Sequence, residues 1–231
     1  MKSFLFLPAL FVTSALLAQQ RDTIFLERIV TDTPDPLYHD IFIDSTAAVR
    51  NKLTSFAFHH FDSTTYFDQL AALRPLKKAS ISALKDVPRK WIALYKWKNK
   101  YYLYSPSDFG NHSKVEMNDS TMVDFSMEGP QPSSYKKITR ISATKLVIER
   151  ANYWKGDRVE VQIIDTAKGI AVFSFGATKY RKGYRVLMVD AAKAHLFPTI
   201  VNYCETDKQG EFEFDELNFA TLLKAKPTRK K

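Results

Sequence analysis

The sequence feature that most constrains the fold is an alternation of apolar and polar residues that begins near Trp91. In the clearest example, Val159, Val161 and Ile163 alternate with polar neighbours. A period of two is that of a β-strand with one buried face. Further strand-like runs cover 144–150, 170–175 and 184–189. Because all seven glycines lie at or beside the gaps between such runs, the pattern predicts an antiparallel meander that forms a barrel or a sandwich.

The segment before this alternation has the residue spacing of helices. Within residues 44–87, apolar side chains recur three and four positions apart, after potential helix caps at Asp44 and Asp62. Pro88 ends the pattern because proline interrupts a helix. Residues 56–61 fit either a helix or a short strand. We therefore expect a mainly helical segment in front of the β-rich part of the chain.

Both ends of this arrangement carry further elements. Residues 23–30 are rich in β-forming side chains, and the Thr-Pro-Asp-Pro sequence at 33–36 predicts a loop after them. Near the C-terminus, an expected strand at 211–214 precedes an amphipathic helix at 215–224. The predicted fold class is therefore mainly β, of the α+β type, with an N-terminal helical segment and a short C-terminal helix.

The first eighteen residues have the features of a secretory signal peptide. Lys2 supplies a positive start, residues 4–17 are mostly apolar, and Ala18 is a small residue at a cleavage point. We expect export to the periplasm or the extracellular space, with an uncleaved anchor as the alternative. The expected division of the chain is a signal peptide at 1–18, an N-terminal strand and helical segment packing on the sheet at 19–88, an antiparallel β domain with its helix at 89–224, and a basic flexible tail at 225–231.

Composition excludes several classes of protein. Hydrophobic residues make up 45% of the chain and aromatic residues 13%, which is the balance of a globular protein. The single cysteine, Cys204, rules out a disulfide framework, and its apolar neighbours favour a buried, inert thiol. The formal net charge is +9, but five basic residues lie in the last eight positions, so we expect no nucleic-acid partner. Without a Gly-rich phosphate loop we expect no nucleotide or other cofactor.

The segment from Trp91 to Tyr104 predicts a β-hairpin that turns at Lys98-Asn99. A two-residue turn places position 95 opposite 102, and 97 opposite 100. One face of the hairpin then carries the candidate ligand-binding residues, which are Trp91, Tyr95, Trp97, Tyr102 and Tyr104. Such a face can hold an apolar ligand, sugar rings or a partner protein. The alternative is a second layer of core, covered by the N-terminal helices.

Other groupings of reactive residues lack the spacing of a known site. Residues 105–112 bring a serine, an aspartate and a histidine into one loop, but no G-x-S-x-G motif is present and a turn held by side chains is expected. His59 and His60 lie near Asp62, yet adjacent side chains point in different directions and the H-E-x-x-H spacing is absent. We therefore expect neither a catalytic residue nor a metal site.

The meander and its C-terminal helix resemble the lipocalin-type, or calycin-like, antiparallel barrel over roughly residues 91–224. The resemblance rests on residues 135–141, which lead into 145–149, and on the hairpins that follow. The G-x-W signature of classical lipocalins is absent, since Arg89-Lys90 precedes Trp91, and the helical N-terminal segment is foreign to that family. The resemblance implies a barrel that binds a small ligand, and no family ligand residue is carried over.

Three functional hypotheses follow. The first is an exported, non-enzymatic protein that binds a small apolar or amphipathic molecule in its barrel or a cleft, with the aromatic face at or near the site. The second is a secreted module that binds a protein or a glycan through an exposed aromatic face. The third is a hydrolase whose groups, such as paired carboxylates, lie far apart in sequence. We expect no integral membrane segment after signal removal. Exposure of Trp91 and Trp97 would separate the first two hypotheses.

Overall fold

Two β-sheets organise the part of the chain that the structure, a computed structural model, describes. The described residues are 24–30, 38–44, 46–58, 60–74, 79–107, 113–126, 129–151, 157–179, 182–204 and 211–224. The strands are β1 (Ile24–Val30), β2 (Tyr38–Asp44), β3 (Lys90–Ala93), β4 (Tyr95–Trp97), β5 (Lys100–Ser105), β6 (Lys114–Met117), β7 (Thr121–Ser126), β8 (Gly129–Ser142), β9 (Lys145–Ala151), β10 (Arg158–Asp165), β11 (Ile170–Phe175), β12 (Tyr184–Asp190) and β13 (Thr199–Cys204). The helices are α1 (Ala47–Thr54), α2 (His60–Leu73) and α3 (Phe219–Lys224), with 3-10 turns at Ser82–Leu84 and Ala191–Leu196.

Eight strands form a closed antiparallel barrel. Its order is β3-β6-β7-β8-β9-β10-β11-β12, so that from β6 onward each strand pairs with the next along the chain. The barrel closes where β12 pairs with β3, with Met188 opposite Ala93 and Asp190 opposite Trp91. The predicted meander is confirmed, and of the two expected arrangements the structure is the barrel. Closure leaves these strands without a free edge for pairing with another chain.

Large apolar side chains fill the inside of the barrel. Trp91, Tyr135 and Phe173 are at most 1% exposed, and the rings of Trp91 and Phe173 meet edge to face at 5.3 Å. The same buried cluster receives side chains from every barrel strand. At one end, the 3-10 turn and the residues after it add Leu84 and Val87. A small barrel packed in this way is a hydrophobic core rather than a container.

The second sheet takes its strands from distant parts of the chain. Its order is β1-β2-β13-β5-β4, with β13 antiparallel to β2 and parallel to β5. The chain leaves the barrel at Leu94, between β3 and β4, and the Leu94 N–H still donates to the carbonyl of Leu187 at 2.8 Å. Leu103 of this sheet shares an apolar layer with the outer barrel wall and with Leu53 and Phe56 at α1. The barrel and the second sheet therefore share one core.

The N-terminal expectations agree with the structure in part. Residues 79–87, which were also expected to be helical, form only a 3-10 turn at Ser82–Leu84. The predicted strand at 23–30 corresponds to β1, and α1 and α2 fall inside the helical segment predicted at 44–87. The ambiguous residues divide between an irregular stretch at 55–58 and the start of α2. β2 was not expected from the local sequence pattern. The predicted loop at 33–36, the signal peptide at 1–18 and the tail at 225–231 lie outside the described residues.

The C-terminal prediction needs a correction. Residues 211–214 were expected to form a strand, but they pair with no other strand. They lie across a face of the second sheet instead. The helix predicted at 215–224 exists but begins only at Phe219. Among the described residues, no helix is both long enough and apolar enough to cross a membrane.

Candidate functional site

The predicted hairpin forms with the expected turn and register. Tyr95 lies opposite Tyr102, and Trp97 opposite Lys100. Lys98 and Asn99 have φ angles of 46° and 63°. Two successive left-handed residues are typical of the tight type I′ hairpin turn, whose twist matches that of the flanking strands.

The aromatic residues of this segment are divided between two sheets. Trp91 lies inside the barrel, is 0% exposed, and its Nε1 donates to the carbonyl of Pro88 at 2.8 Å. The other four candidate residues face away from the barrel on the second sheet, and we call them the aromatic platform: Tyr95, Trp97, Tyr102 and Tyr104. The expectation that all five share one face is therefore wrong. The reason is the change of sheet at Leu94, which a continuous hairpin would not make.

Residues 211–214, which we call the C-terminal strap, cover the aromatic platform. Phe214 stacks on Tyr95 with ring centroids 4.5 Å apart. Phe212 meets the ring of Trp97 edge to face at 5.4 Å. Tyr102 is only 5% exposed. The platform is thus a layer of core, as in the alternative interpretation of the sequence, but a C-terminal segment covers it instead of the N-terminal helices.

A polar network fastens the strap to the sheet. The hydroxyl of Tyr104 donates to Glu211 and accepts from the Asn202 side-chain amide at 3.0 Å and the Phe212 N–H at 3.3 Å. Burial and the hydrogen bond to Glu211 raise the pKa of Tyr104 well above its ordinary value. Burial, with the nearby charge of Glu211, raises the pKa of Tyr95 to about 12. Both phenols are therefore neutral at physiological pH and act as hydrogen-bonding and packing groups.

Little free space remains next to the platform. A cavity of about 20 Å³, lined in part by Tyr95, Tyr104 and Lys114, lies between the second sheet and the barrel. That volume suits about one water molecule and excludes an organic ligand. A ligand at the platform would have to displace the strap.

A larger concavity opens at the end of the barrel where β11 and β12 are joined. We call it the mouth groove. It has a volume of about 460 Å³ and is lined by Ser174, Phe175, Gly176, Ala177, Gly183, Tyr184, Arg185 and Phe219. Phe219 belongs to α3, so the groove lies between the hairpin and the C-terminal helix. Its volume is within the range of small-molecule sites.

The hairpin wall of the groove is built by close packing. Phe175 and Tyr184 lie opposite each other and stack with centroids 4.7 Å apart and planes at 8°. A Cβ atom on Gly183 would lie 3.0 Å from the Phe175 carbonyl oxygen and 3.2 Å from the Ala177 nitrogen. Any larger residue at 183 would push these backbones apart. Because Tyr184 is 40% exposed, part of this aromatic pair faces solvent.

A buried ion cluster supports this aromatic pair from within the barrel. The guanidinium of Arg150, 1% exposed, contacts both oxygens of Asp157 at 2.7 and 2.8 Å and Asp124 at 2.7 Å. It also lies 5.7 Å from the ring centroid of Phe175. Burial alone would lower the pKa of Arg150, but the two carboxylates reverse this and raise it. Since Arg150 is engaged on all sides, it holds Phe175 in place rather than binding a ligand.

Basic side chains flank the groove. Arg185 and Lys182 are exposed, and within the described part of the chain neither has a carboxylate at ion-pair distance. Arg158 lies beside Gly176, and its guanidinium is 3.6 Å from the carboxylate of Glu160. Glu160, in turn, is held more closely by Lys145 at 2.6 Å. The groove thus combines apolar walls with uncompensated positive charge.

Cys204 lies directly opposite His39 in the ladder between β13 and β2. His39 Nε2 is 2.5 Å from the Asn202 side-chain oxygen, while its Nδ1 has no hydrogen-bond partner. The imidazole therefore accepts no proton from the Cys204 thiol, and this pair lacks the contact that activates a thiol nucleophile. Cys204 is half-buried.

The other reactive groupings of the sequence form no site among the described residues. Ser105 is buried on β5, whereas residues 108–112 lie outside the described chain. His59 is likewise outside it, and the described part of the chain contains no group of three or more His, Cys, Asp or Glu side chains placed to hold a metal ion.

Sequence reasoning missed the mouth groove, although one signal pointed to it. Residues 176–185 contain four basic residues and two tyrosines but no acidic residue. That bias gives the turn a positive charge. Comparison with known proteins adds no assignment, since no family model, curated protein or solved structure matches this chain.

Proposed function

We propose that the protein is an exported, non-enzymatic binding protein for a small amphipathic molecule, and that its ligand occupies the mouth groove. The observation that carries the proposal is the groove itself, about 460 Å³ between a stacked aromatic pair and Phe219. Sites for small molecules are concave, mostly apolar and edged by a few polar groups. The groove is concave, has aromatic side chains in its lining and carries Ser174 and Arg185 as polar groups.

The up-and-down connectivity of the barrel supports a lipocalin-like interpretation of the fold, but the binding mode we propose differs from it. In a lipocalin-like container the ligand would lie inside the barrel, where this chain has Trp91 and Phe173. We therefore place the ligand outside the barrel wall. The platform residues Tyr95, Trp97, Tyr102 and Tyr104 then have a structural role, which keeps α3 in position through the strap.

The test uses the neutral fluorescent probe N-phenyl-1-naphthylamine, whose emission rises in an apolar site. We expect saturable binding to the mature protein. Phe219→Ala and Tyr184→Ala should each weaken binding by about tenfold, because each removes a wall of the groove worth about 1–2 kcal/mol of apolar contact.

Leu196→Ala is the matched control, since Leu196 is 49% exposed and does not line the groove. Circular dichroism checks that each variant is folded. Binding that is unchanged in folded Phe219→Ala and Tyr184→Ala proteins would place the ligand elsewhere, while a complete lack of probe binding would contradict the binding function. Probe binding lost only on platform substitutions would favour the sequence-based site instead.

A further inference from the structure

We infer that the mouth groove selects amphipathic anions and that Arg185 pairs with the acidic group of the ligand. This inference rests on the proposed function and specifies its ligand class. The occupant would be an organic carboxylate, sulfonate or phosphate whose apolar part lies along the aromatic walls.

Arg185 has a defined position in the groove. It lies directly opposite Ser174 in the ladder between β11 and β12, and both residues line the groove. The neighbouring positions on the same strands are Phe175 and Tyr184, the stacked pair. Directly opposite side chains have Cβ atoms about 4.5–5.5 Å apart. Since successive residues of a strand point to opposite faces, Arg185 and Ser174 share the face away from the stacked pair. On that face Val172 and Leu187 belong to the apolar layer against which Phe219 packs. A guanidinium and a hydroxyl, both able to donate to an oxyanion, therefore share the groove with Phe219.

The carboxylates near the groove are engaged by other basic side chains. Asp124 and Asp157 point at Arg150 and are engaged by it. Glu160 lies opposite Ser174 on the other side of β11, and is held by Lys145 at 2.6 Å. Each of these acidic groups therefore already has its own basic partner. None of them neutralises Arg185 among the described residues.

The same end of the barrel carries two further cations. Lys182 is exposed on the same hairpin, and the side chain of Arg158, on the adjacent strand, is 63% exposed. With Arg185, they give this end of the barrel an excess of positive charge. A concave site with charge of one sign concentrates ligands of the opposite sign. A neutral amphipathic molecule would leave that charge unused.

The shape of the arginine side chain suits an acidic group. Arginine presents its donors in a planar fork that matches two oxygens of a carboxylate, sulfonate or phosphate. Phe219 lines the same groove and packs against the apolar layer on the face of the sheet that carries Arg185. A molecule with an apolar body and one acidic end can therefore contact both groups at once.

The experiment compares two probes that differ by one charged group: 1-anilinonaphthalene-8-sulfonate and its neutral counterpart N-phenyl-1-naphthylamine. At low salt we expect the sulfonate to bind the native protein about tenfold more tightly. Arg185→Gln should remove about that factor for the sulfonate and leave the neutral probe unchanged. Added salt should weaken sulfonate binding alone.

Lys137→Gln is the control, because Lys137 is an exposed cation on β8 that does not line the groove. Equal affinities for the two probes, with no effect of Arg185→Gln on either, would overturn the anion preference and leave the binding function standing. Failure of both probes to bind would contradict the binding function and the inference together. Sulfonate affinity that falls equally in Arg185→Gln and Lys137→Gln would mean general charge attraction and would also overturn the role of Arg185.

Discussion

Arg150 is the single residue on which the mouth end of the barrel most depends. Its guanidinium is 1% exposed and bonded to two carboxylates, one of which, Asp157, is itself 3% exposed. Removing charges from water is costly, and a buried pair recovers that cost only through close, well-directed contacts. Here the contacts are two parallel bonds to Asp157 and one to Asp124. We therefore expect the fold to be destabilised when either the guanidinium or the carboxylates are removed alone.

We expect Arg150→Met to lower the free energy of unfolding by about 3–5 kcal/mol, because it removes both guanidinium hydrogen bonds from the buried Asp157 carboxylate. Urea denaturation followed by circular dichroism measures the change. Arg158→Met is the control: this arginine is 63% exposed, and its replacement should cost less than about 0.5 kcal/mol. Similar losses in the two variants would mean that the buried cluster has no special role in stability.

At the scale of elements, the C-terminal strap separates what an alternating pattern predicts from what it does not. In Glu211-Phe212-Glu213-Phe214 the aromatic residues are half-buried and Glu213 is exposed, as in a strand with one buried face. The strap nevertheless has no ladder, because its apolar face is satisfied by the aromatic platform. Alternation thus predicted the burial of these side chains correctly and their backbone pairing wrongly.

We expect the double substitution Phe212→Ser with Phe214→Ser to uncover the platform. In a protein whose only tryptophan is Trp97, acrylamide should quench the fluorescence more strongly after the substitution, since Phe212 packs on that indole ring. In a protein whose only tryptophan is Trp91, the quenching should not change, because that side chain is enclosed by the barrel.

Phe67→Ser is the matched control for the strap experiment, because Phe67 is 60% exposed on α2. It should leave the quenching of both tryptophans unchanged. If the double substitution also leaves Trp97 as shielded as before, the strap does not cover the platform in solution.

At the scale of the whole molecule, the antiparallel meander was predictable, whereas the closure of the barrel through β3 and most of the second sheet were not. Barrel strands mostly pair with their neighbours along the chain, so the period of two and the turn residues suffice to predict them. β2 pairs with its neighbour β1 on one side, but on the other side with β13, from the far end of the chain. No local pattern indicates such a partner.

The candidate site divides in the same way. The hairpin at Lys98-Asn99 and its cross-strand pairs followed from local spacing. The mouth groove needs Phe219 beside Tyr184, two residues from separate elements. Only the packing of α3 on the barrel brings them together.

The shared core predicts that the barrel and the second sheet unfold together. Leu94 joins β3 to β4, and Leu103 packs with Leu187 in the layer between the two sheets. Single-tryptophan proteins containing Trp91 or Trp97 should therefore give the same urea midpoint, as coincident probes do in a two-state transition. Leu103→Ala should lower both midpoints. Two separate midpoints in the unsubstituted core would mean that the sheets are independent units.

Because β13 lies in the middle of the second sheet, the strands of the two sheets become complete at different times during synthesis. A ribosome delivers the chain from its N-terminus, so all eight barrel strands exist once Asp190 has emerged. At that point β13, which pairs with both β2 and β5 and begins at Thr199, has not yet been synthesised. The nascent chain thus contains every strand of the barrel while the second sheet still lacks the strand that joins its two parts.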